Sequence, residues 1–460
     1  MPPADSAALI VARFLKSNRY EESYDAFVRE AGLPQDAGTV GKGDLTLEVL
    51  LEEKKTFDVS VQFEKLGVED EVHEWTVPAP STAMSIPDLP QKSNLLSATV
   101  GTLASSGNPS QQHLFASSAT RRLHILDVPS CELRTSTATL HDSPILSSVV
   151  LRDRVLITAS MSGRLIASDL DGNVLDKRTD HSKYIVKAAV LHTTPSDIIA
   201  TAGWDCEINI YTPGNDQPFK FRSPFATISL PTKPEAMLLM QHPDTHEPIL
   251  IISRADSNLL YFYTTESEPR LLGQQNLAPH SNAWVAFTPS ALALCPADPT
   301  LLAVGTNSLP HMKLLIVRLL IPPFAPEAVP TAAPTVRRSL LDDTPVPETQ
   351  ASQARAALAI ADREAAAIQI HCNTMAPQTA YSTPAIAWRP DSTGVFVNGD
   401  DGAIRGIETS TGKVKTVLKG HEEGSKVRCL WAGEVVGEEW LVSGGFDQQL
   451  IVWKIDRNGA

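Results

Sequence analysis

Aromatic residues are scarce in this chain, and an excess of positive charge is absent. Aromatic side chains account for 6% of the 460 residues, and 39 Lys and Arg face 53 Asp and Glu, which gives a formal net charge of −14. Proteins that coat nucleic acid or an anionic bilayer without sequence preference need a basic surface. We therefore expect no direct non-specific binding of nucleic acid, although a single basic pocket is compatible with this composition.

The cysteines form no paired motif. The five residues lie far apart, are odd in number and include no C-x-x-C spacing; they are Cys131, Cys206, Cys295, Cys372 and Cys429. This pattern is typical of a reducing compartment and argues against a disulfide framework or a zinc ribbon.

Long hydrophobic segments are also lacking. The longest apolar run, residues 314–324, is interrupted by Arg318, Pro322 and Pro323 and is too short to span a bilayer. The first residues, Met-Pro-Pro-Ala-Asp, have neither the basic start nor the apolar core of a signal peptide. We therefore expect no membrane insertion and a cytoplasmic or nuclear location.

Residues 1–36 predict a pair of short helices. Asp5 or Ser6 can cap a helix that runs to about Ser17, and a second helix begins near Glu21, where acidic residues favour the positive end of the helix dipole. The apolar residues of the second helix form one stripe, at Tyr24, Phe27, Val28 and Ala31.

A hairpin of this length cannot bury the apolar stripes of both helices against each other. About thirty residues provide too little core to be stable alone. Pairing with a second copy, to give four helices, is the simplest remedy. Packing of the hairpin on the rest of its own chain is the alternative.

The hairpin resembles the lissencephaly-homology (LisH) motif. The residues that match the family pattern are Leu9, Ile10, Phe14, Leu15, Tyr20, Ser23, Phe27 and Glu30. The resemblance implies homodimerisation, in which Leu9, Ile10, Phe14, Leu15 and Phe27 supply the buried surface and Tyr20 fixes the corner of the hairpin. The glycine that usually precedes the tyrosine is Arg19 here, so we expect Asn18, which tolerates a positive φ, to form the turn.

Residues 37–70 are predicted to be an acidic helical linker. Apolar residues favour one or two further helices; they are Leu47, Leu50, Leu51, Phe57, Val61 and Phe63. Residues 44–74 contain ten acidic residues and three lysines, a net charge of −7. We interpret this charge as a solvated surface that would repel nucleic acid and favour basic partners.

From about Ser93 the sequence repeats with a period of about forty residues, which is typical of propeller blades. Seven copies can be recognised, and the third and the last are the clearest. These two resemble WD repeats, in which a His, a Ser or Thr, an Asp and a Trp form hydrogen bonds within a blade.

The last copy has all four of these residues, at His421, Ser443, Asp447 and Trp453. The third copy has His181, Thr201, Asp205 and Tyr211, with Tyr in place of Trp. The others keep single members, such as His141 with Thr158, Asp256 or Asp401. The predicted fold class is therefore mainly β: a seven-bladed WD-repeat β-propeller over residues 71–456, preceded by an N-terminal α-helical LisH hairpin.

The last copy ends at its third strand. Because an open sheet edge is unfavourable, another segment is expected to complete this blade. We predict that residues 71–78, EVHEWTVP, form the missing strand; a short linker is the alternative.

A Pro- and Ala-rich insertion is predicted at about residues 322–367. It reads as a loop followed by a helix over residues 351–367, after which residues 368–372 would form the outer strand of the fifth blade. One side of the helix carries Leu358, Ala361, Ala365 and Ile368. We expect this side to pack against its own domain rather than against a partner.

No catalytic or metal-ligating constellation is recognisable, and no cofactor is predicted. Asp400 and Asp401 suit a blade turn, with Gly402 at positive φ, better than acid–base catalysis. His371 and Cys372 have no second pair at ligand spacing, so we interpret them as strand residues. Neither a phosphate-binding loop nor a nucleophile elbow is present.

We therefore expect a non-enzymatic scaffold that dimerises through the hairpin and whose propeller docks protein partners in a multisubunit complex. Families that combine the two modules belong to chromatin or corepressor, ubiquitin-ligase and cytoskeletal-regulator complexes. Two alternatives are a propeller-fold hydrolase or isomerase, with its catalytic groups in the central channel, and a reader of modified peptides. The reader needs an aromatic cage, for which the candidates are Trp204, Trp431 and Trp440.

Overall fold

The computed structural model describes ten segments of the chain: residues 7–34, 36–39, 46–48, 74–87, 89–104, 110–194, 196–214, 219–279, 287–324 and 350–456. The chain divides into two compact units, residues 1–71 and 72–460. Apart from residues 46–48, the expected linker helices lie outside the described residues. So do the capping candidates Asp5 and Ser6, and residues 325–349 of the insertion.

The first unit contains a helical hairpin. Helix α1 spans Ala7–Ser17 and helix α2 spans Glu21–Glu30. At the corner, the Tyr20 N–H donates to the Leu15 carbonyl at 2.9 Å, and the Arg19 N–H donates to the Lys16 carbonyl at 3.1 Å. These two bonds are those of a Schellman helix end.

Arg19, and not Asn18, adopts the left-handed conformation at this corner, with a φ of 59°. The expectation for Asn18 is therefore wrong. Asn18 instead donates through Nδ2 to the Phe14 carbonyl at 3.0 Å and continues the helix end. Arg19, the next residue, therefore reverses the chain in the left-handed conformation. Glycine would adopt this conformation at a cost lower by about 1 kcal/mol.

The described part of the second unit forms seven four-stranded sheets, which confirms the predicted seven-bladed β-propeller. Blade 1 contains β2 (Leu95–Leu103), β3 (Gln111–Ser118), β4 (Leu123–Asp127) and β5 (Glu132–Thr137). Blade 2 contains β6 (Ile145–Leu151), β7 (Val155–Ser160), β8 (Arg164–Ser168) and β9 (Val174–Thr179). Blade 3 contains β10 (Ile185–Leu191), β11 (Ile198–Gly203), β12 (Glu207–Tyr211) and β13 (Ala226–Ser229). Blade 4 contains β14 (Pro234–Gln241), β15 (Pro248–Arg254), β16 (Leu259–Thr264) and β17 (Leu271–Asn276).

The last three blades have the same layout. Blade 5 contains β18 (Pro289–Leu294), β19 (Leu301–Thr306), β20 (His311–Arg318) and β21 (Ile368–Pro377). Blade 6 contains β22 (Ile386–Trp388), β23 (Gly394–Val397), β24 (Ala403–Glu408) and β25 (Val414–Lys419). Blade 7 contains β26 (Val427–Val435), β27 (Glu438–Gly445), β28 (Leu450–Ile455) and β1 (Pro80–Ser85).

The core of the propeller lies between neighbouring blades. The second strands of blades 2 and 3, β7 and β11, are buried at every residue. Continuous burial of this kind is expected where both faces of a sheet are covered. The first strand of each blade contacts the first strands of the two neighbouring blades. These first strands therefore surround the central channel.

The ring is closed by a strand from the N-terminal edge of the second unit, but not by the predicted one. β1 pairs with β28, with Met84 opposite Val452. Residues 74–78 form no strand, and residues 71–73 lie outside the described part of the chain. The prediction for residues 71–78 is wrong because Trp75 packs on blade 6 instead, with its ring edge-on to Phe396 at 5.8 Å.

The insertion lies between the third and outer strands of blade 5. Helix α3 spans Gln350–Ala367 and leads directly into β21. Ala361 and Ala365 are partly buried, and the Glu364 carboxylate accepts a hydrogen bond from the Asn276 N–H at 2.8 Å. Leu358, which was expected on the packed side, is 57% exposed. Among the side chains of α3 that are described, from Leu358 onwards, the first partly buried one is Ala361.

Candidate functional site

Blade 7 contains a hydrogen-bonded chain of the four residues singled out in its repeat. The Trp453 indole N–H donates to Ser443 Oγ at 2.9 Å. Ser443 Oγ lies 2.8 Å from His421 Nε2, and His421 Nδ1 lies 2.9 Å from Asp447 Oδ2. Because a carboxylate only accepts hydrogen bonds, Nδ1 carries the proton and Nε2 accepts from the serine hydroxyl. Both ring nitrogens of His421 are therefore engaged.

The Asp447 carboxylate is stabilised in its charged form. Burial alone would raise its pKa, but the hydrogen bond from His421 and those from the backbone N–H groups of Glu422 and Gln449 outweigh burial and lower the pKa. The Glu422 N–H bond, at 3.0 Å, joins the loop before β26 to the turn after β27. The network thus holds two loops of the propeller face together.

Blade 3 has a similar network with one difference. His181 lies 2.8 Å from Thr201 Oγ1 and 3.0 Å from Asp205 Oδ1. The Tyr211 hydroxyl, which replaces the indole, donates to Asp180 at 3.1 Å. The tyrosine is therefore tied to the loop that precedes His181.

Blade 2 keeps only half of the network. His141 Nε2 lies 2.9 Å from Thr158 Oγ1, but Nδ1 has no partner among the described residues. Ser162 occupies the position that Asp205 and Asp447 have in their repeats. Burial lowers the pKa of His141 to about 4.

The hairpin has a small core. It consists of the buried side chains of Ala12, Tyr24 and Val28, with Leu15 and Phe27 partly packed against them. Leu15 and Phe27, two of the predicted dimerisation residues, thus contribute to the core of their own hairpin.

The other four predicted dimerisation residues retain exposed surface. Leu9, Ile10 and Phe14 are partly buried, and Tyr20 is 52% exposed. The rings of Phe14 and Tyr20 lie 6.3 Å apart, beside the corner of the hairpin. An apolar surface with an aromatic pair therefore extends along α1.

The acidic pair of blade 6 is engaged in ion pairs. Asp400 lies 2.9 Å from the Lys426 ammonium group, and Asp401 lies 2.6 Å from the Arg405 guanidinium.

Cys372 lies in β21, where burial raises the pKa of its thiol to about 11. Across the described segments, no group of three or more His, Cys, Asp or Glu is placed to hold a metal ion. The described helices include none that is long and apolar enough to cross a membrane.

The three tryptophans proposed for a peptide-reader cage do not form one. Trp440 is fully buried in β27, and Trp204 lies in another blade, in the turn between β11 and β12. The Trp204 ring stacks on Tyr184 with a centroid distance of 5.3 Å. The Lys233 ammonium group lies 4.6 Å from the centroid of Trp204. The exposed aromatic surface here is therefore the Tyr184–Trp204 pair, each residue being 37% exposed.

A buried arginine that the sequence analysis missed connects blades 6 and 7. Arg389 is 1% exposed and binds Glu439 through two bonds, from Nε at 2.8 Å and from Nη2 at 2.7 Å. Its guanidinium carbon lies 4.5 Å from the centroid of Trp75. The sequence contains no signal for this site, because a single arginine after a strand has no motif around it.

Trp75 fits over two glycines of blade 6. A Cβ atom on Gly394 or Gly406 would overlap the indole ring. The backbone N–H of Trp75 donates to the Glu408 carboxylate at 2.9 Å. Burial alone would raise the pKa of Glu408, but the bonds from Thr411, Trp75 and Lys415 lower it to about 2. Residues 74–76 are therefore anchored on blade 6 before the chain enters β1.

The propeller matches a known protein family. Residues 68–454 match a family model described as UCP007778, beta-propeller domain. The chain belongs to this β-propeller family. The match covers almost all of the second unit and leaves the helical hairpin outside. No curated protein matches the chain. The family description names a fold and no activity.

Proposed function

We propose that this protein is a non-enzymatic, homodimeric scaffold. The LisH-type hairpin of each chain pairs with that of a second copy, and the WD-type propeller docks protein partners in a multisubunit complex. The small core of the hairpin carries this proposal, because it leaves Leu9, Ile10, Phe14 and Tyr20 with exposed apolar surface. A second copy would cover this surface.

The charges of the two helices favour pairing between copies. Helix α1 contains Arg13 and Lys16 and no acidic residue, whereas α2 contains four acidic residues and one arginine. In a two-fold arrangement, α1 of one copy can lie along α2 of the other, with opposite charges around the apolar contact.

The hydrogen-bond networks of the propeller support a docking role. The His181 and His421 networks hold neighbouring loops of one face in fixed positions. A rigid loop loses little conformational entropy when a partner binds, which favours affinity. In a dimer, two such faces are linked, so that the second contact with a partner complex becomes an intramolecular event.

Light scattering on the purified full chain tests the dimer. The wild type is expected at twice the chain mass of 49.7 kDa, and Phe14→Asp at the mass of a single chain, because a buried carboxylate would oppose pairing. Ala26→Asp adds the same charge at an exposed position of α2 and should remain dimeric. A monomeric wild type contradicts dimerisation, and a dimeric Phe14→Asp variant with unchanged circular dichroism contradicts the role of the hairpin.

Affinity capture of the intact chain tests the scaffold function. Stoichiometric protein partners should be recovered and identified by mass spectrometry. Recovery of the chain alone would argue against a scaffold.

A further inference from the structure

Two cations on first strands of the propeller lack a partner. Lys187 lies in β10 of blade 3, and Arg428 lies in β26 of blade 7. In the described part of the chain, neither side chain makes a hydrogen bond or an ion pair. Their neighbours Ile185 and Val427 are 1% exposed, whereas Lys187 is exposed and Arg428 partly exposed. First strands surround the channel, and neighbouring blades cover the rest of their surface. We therefore infer that these two side chains, which keep access to solvent, face the channel.

Arg428 occupies a bulge that recurs around the channel. In six blades, the pairing of the first strand with the second skips one residue at the same register. The skipped residues are Leu96, Leu146, Val186, Glu235, Ser290 and Arg428. None of these six is buried, so they form a ring at the channel mouth. Lys187 directly follows Val186 and lies one residue deeper in the channel.

The ring has an apolar arc between two charges. Blades 1, 2 and 3 contribute Leu96, Leu146 and Val186, with Arg428 of blade 7 on one side and Glu235 of blade 4 on the other. Burial raises the pKa of Glu235, and the cation that opposes this effect is Lys233. Glu235 therefore does not neutralise Lys187 or Arg428.

The surroundings of the two cations favour an anion. Burial lowers the pKa of both Lys187 and Arg428, although solvent reaches them through the channel. A cation that is partly removed from water without a counter-charge is unfavourable, and an incoming carboxylate offsets this cost. Tyr184 precedes Lys187 by three residues, which is ~10 Å along an extended strand. The exposed Tyr184–Trp204 pair therefore borders the same side of the mouth.

We propose that the channel mouth, on the face that bears His181 and His421, binds an acidic peptide segment of a partner protein. A carboxylate of the segment enters the channel towards Lys187 and Arg428, and a neighbouring apolar side chain packs on the Tyr184–Trp204 pair. This inference rests on the proposed docking function and specifies the chemistry of the partner.

A random dodecapeptide library displayed on phage, selected on the purified full chain, tests the inference. Asp and Glu should be enriched several-fold in the peptides selected on the wild type, and this enrichment should be lost on the double variant Lys187→Met/Arg428→Met. The matched control, Lys177→Met/Arg363→Met, also removes one lysine and one arginine, but at exposed positions on β9 and α3. This control should keep the enrichment.

Selection of peptides without acidic residues on the wild type would overturn this inference and leave the docking function intact. Failure to select any peptide would count against both. Acidic enrichment that persists on the channel variant would show that these two cations are not the binding groups. The melting temperature of the channel variant should be unchanged or raised, because it loses two unpaired charges that are partly removed from water. If the double variant does not fold, Lys187→Gln and Arg428→Gln are selected separately, and each should weaken the enrichment.

Discussion

Arg389 and Glu439 form a buried bidentate ion pair that joins blade 6 to blade 7, with nitrogen–oxygen distances of 2.8 and 2.7 Å. Arg389 follows β22 of blade 6, and Glu439 lies in β27 of blade 7, the sheet that β1 completes. The seam of the ring is thus held by a charge pair as well as by strand pairing. Loss of either partner would leave a desolvated charge behind.

Arg389→Met should therefore lower the free energy of unfolding by about 3–5 kcal/mol. The double variant Arg389→Met/Glu439→Leu should lose less, since the carboxylate removed is the more deeply buried of the two that pair with Arg389. The other, Asp391, lies 3.2 Å from Arg389 Nη2 and is 33% exposed, so water still solvates it. Urea unfolding of the full chain, followed by tryptophan fluorescence, measures both. Equal losses in the two variants would show that packing around Arg389, rather than the ion pair, stabilises the seam.

The contact of Trp75 with Gly394 can be measured by a double-mutant cycle. Trp75→Ala should cost roughly 2–3 kcal/mol, below the range for a fully buried aromatic side chain, because Trp75 is only partly buried. Gly394→Ala should also destabilise, since its methyl group would displace the indole. The double variant should lose less stability than the sum of the two single losses, because without the indole ring the methyl group added by Gly394→Ala meets no obstacle. Additive losses would show that Trp75 does not depend on the glycine.

Asp447 should make the stability of blade 7 depend on pH. Its pKa is lower in the folded chain than in the unfolded chain, where it is about 3.9. The resulting stabilisation is present above that unfolded value and is lost as the pH falls through the lower, folded value. The difference in melting temperature between the wild type and Asp447→Asn should thus be largest at neutral pH and shrink below about pH 4. Asp36→Asn, at an exposed position, is the control. A difference that does not change with pH would contradict a charge effect.

Ser162→Asp should complete the network of blade 2. The new carboxylate would accept from His141 Nδ1, as Asp447 does from His421, and would raise the pKa of His141 from about 4. Since an unperturbed histidine has a pKa of about 6.5, wild-type His141 reduces stability as the pH falls from about 6.5 towards the folded value. The variant should lose less stability over this interval. The gain at neutral pH should be about 1 kcal/mol or less, because Asp142 lies close to Ser162 and would repel the new charge.

Titration of the His141 ring by NMR measures this change directly. Ser162→Asn is the matched control, because it is similar in shape and carries no charge. A His141 pKa that remains near 4 in the aspartate variant would contradict the proposed pairing.

The sequence by itself determined the repeat, the number of blades and the partners within a blade. His421, Ser443 and Asp447 belong to one repeat, so a local pattern of residue types is enough to bring them together once the sheet forms. The hairpin was predictable for the same reason, since helical periodicity places Tyr24 and Val28 on one face. The conformation of the corner was not, because the side-chain bond of Asn18 moves the left-handed position to Arg19.

Only the tertiary structure decided the contacts between distant blades. Trp75 reaches Arg389 and Gly394 across most of the chain, and its packing there moves the closing strand from residues 71–78 to Pro80–Ser85. Lys187 and Arg428 likewise face one channel only because the ring closes. Such contacts leave no periodic pattern in the sequence. They depend on how seven similar sheets pack around an axis, and neighbouring residues along the chain do not determine them.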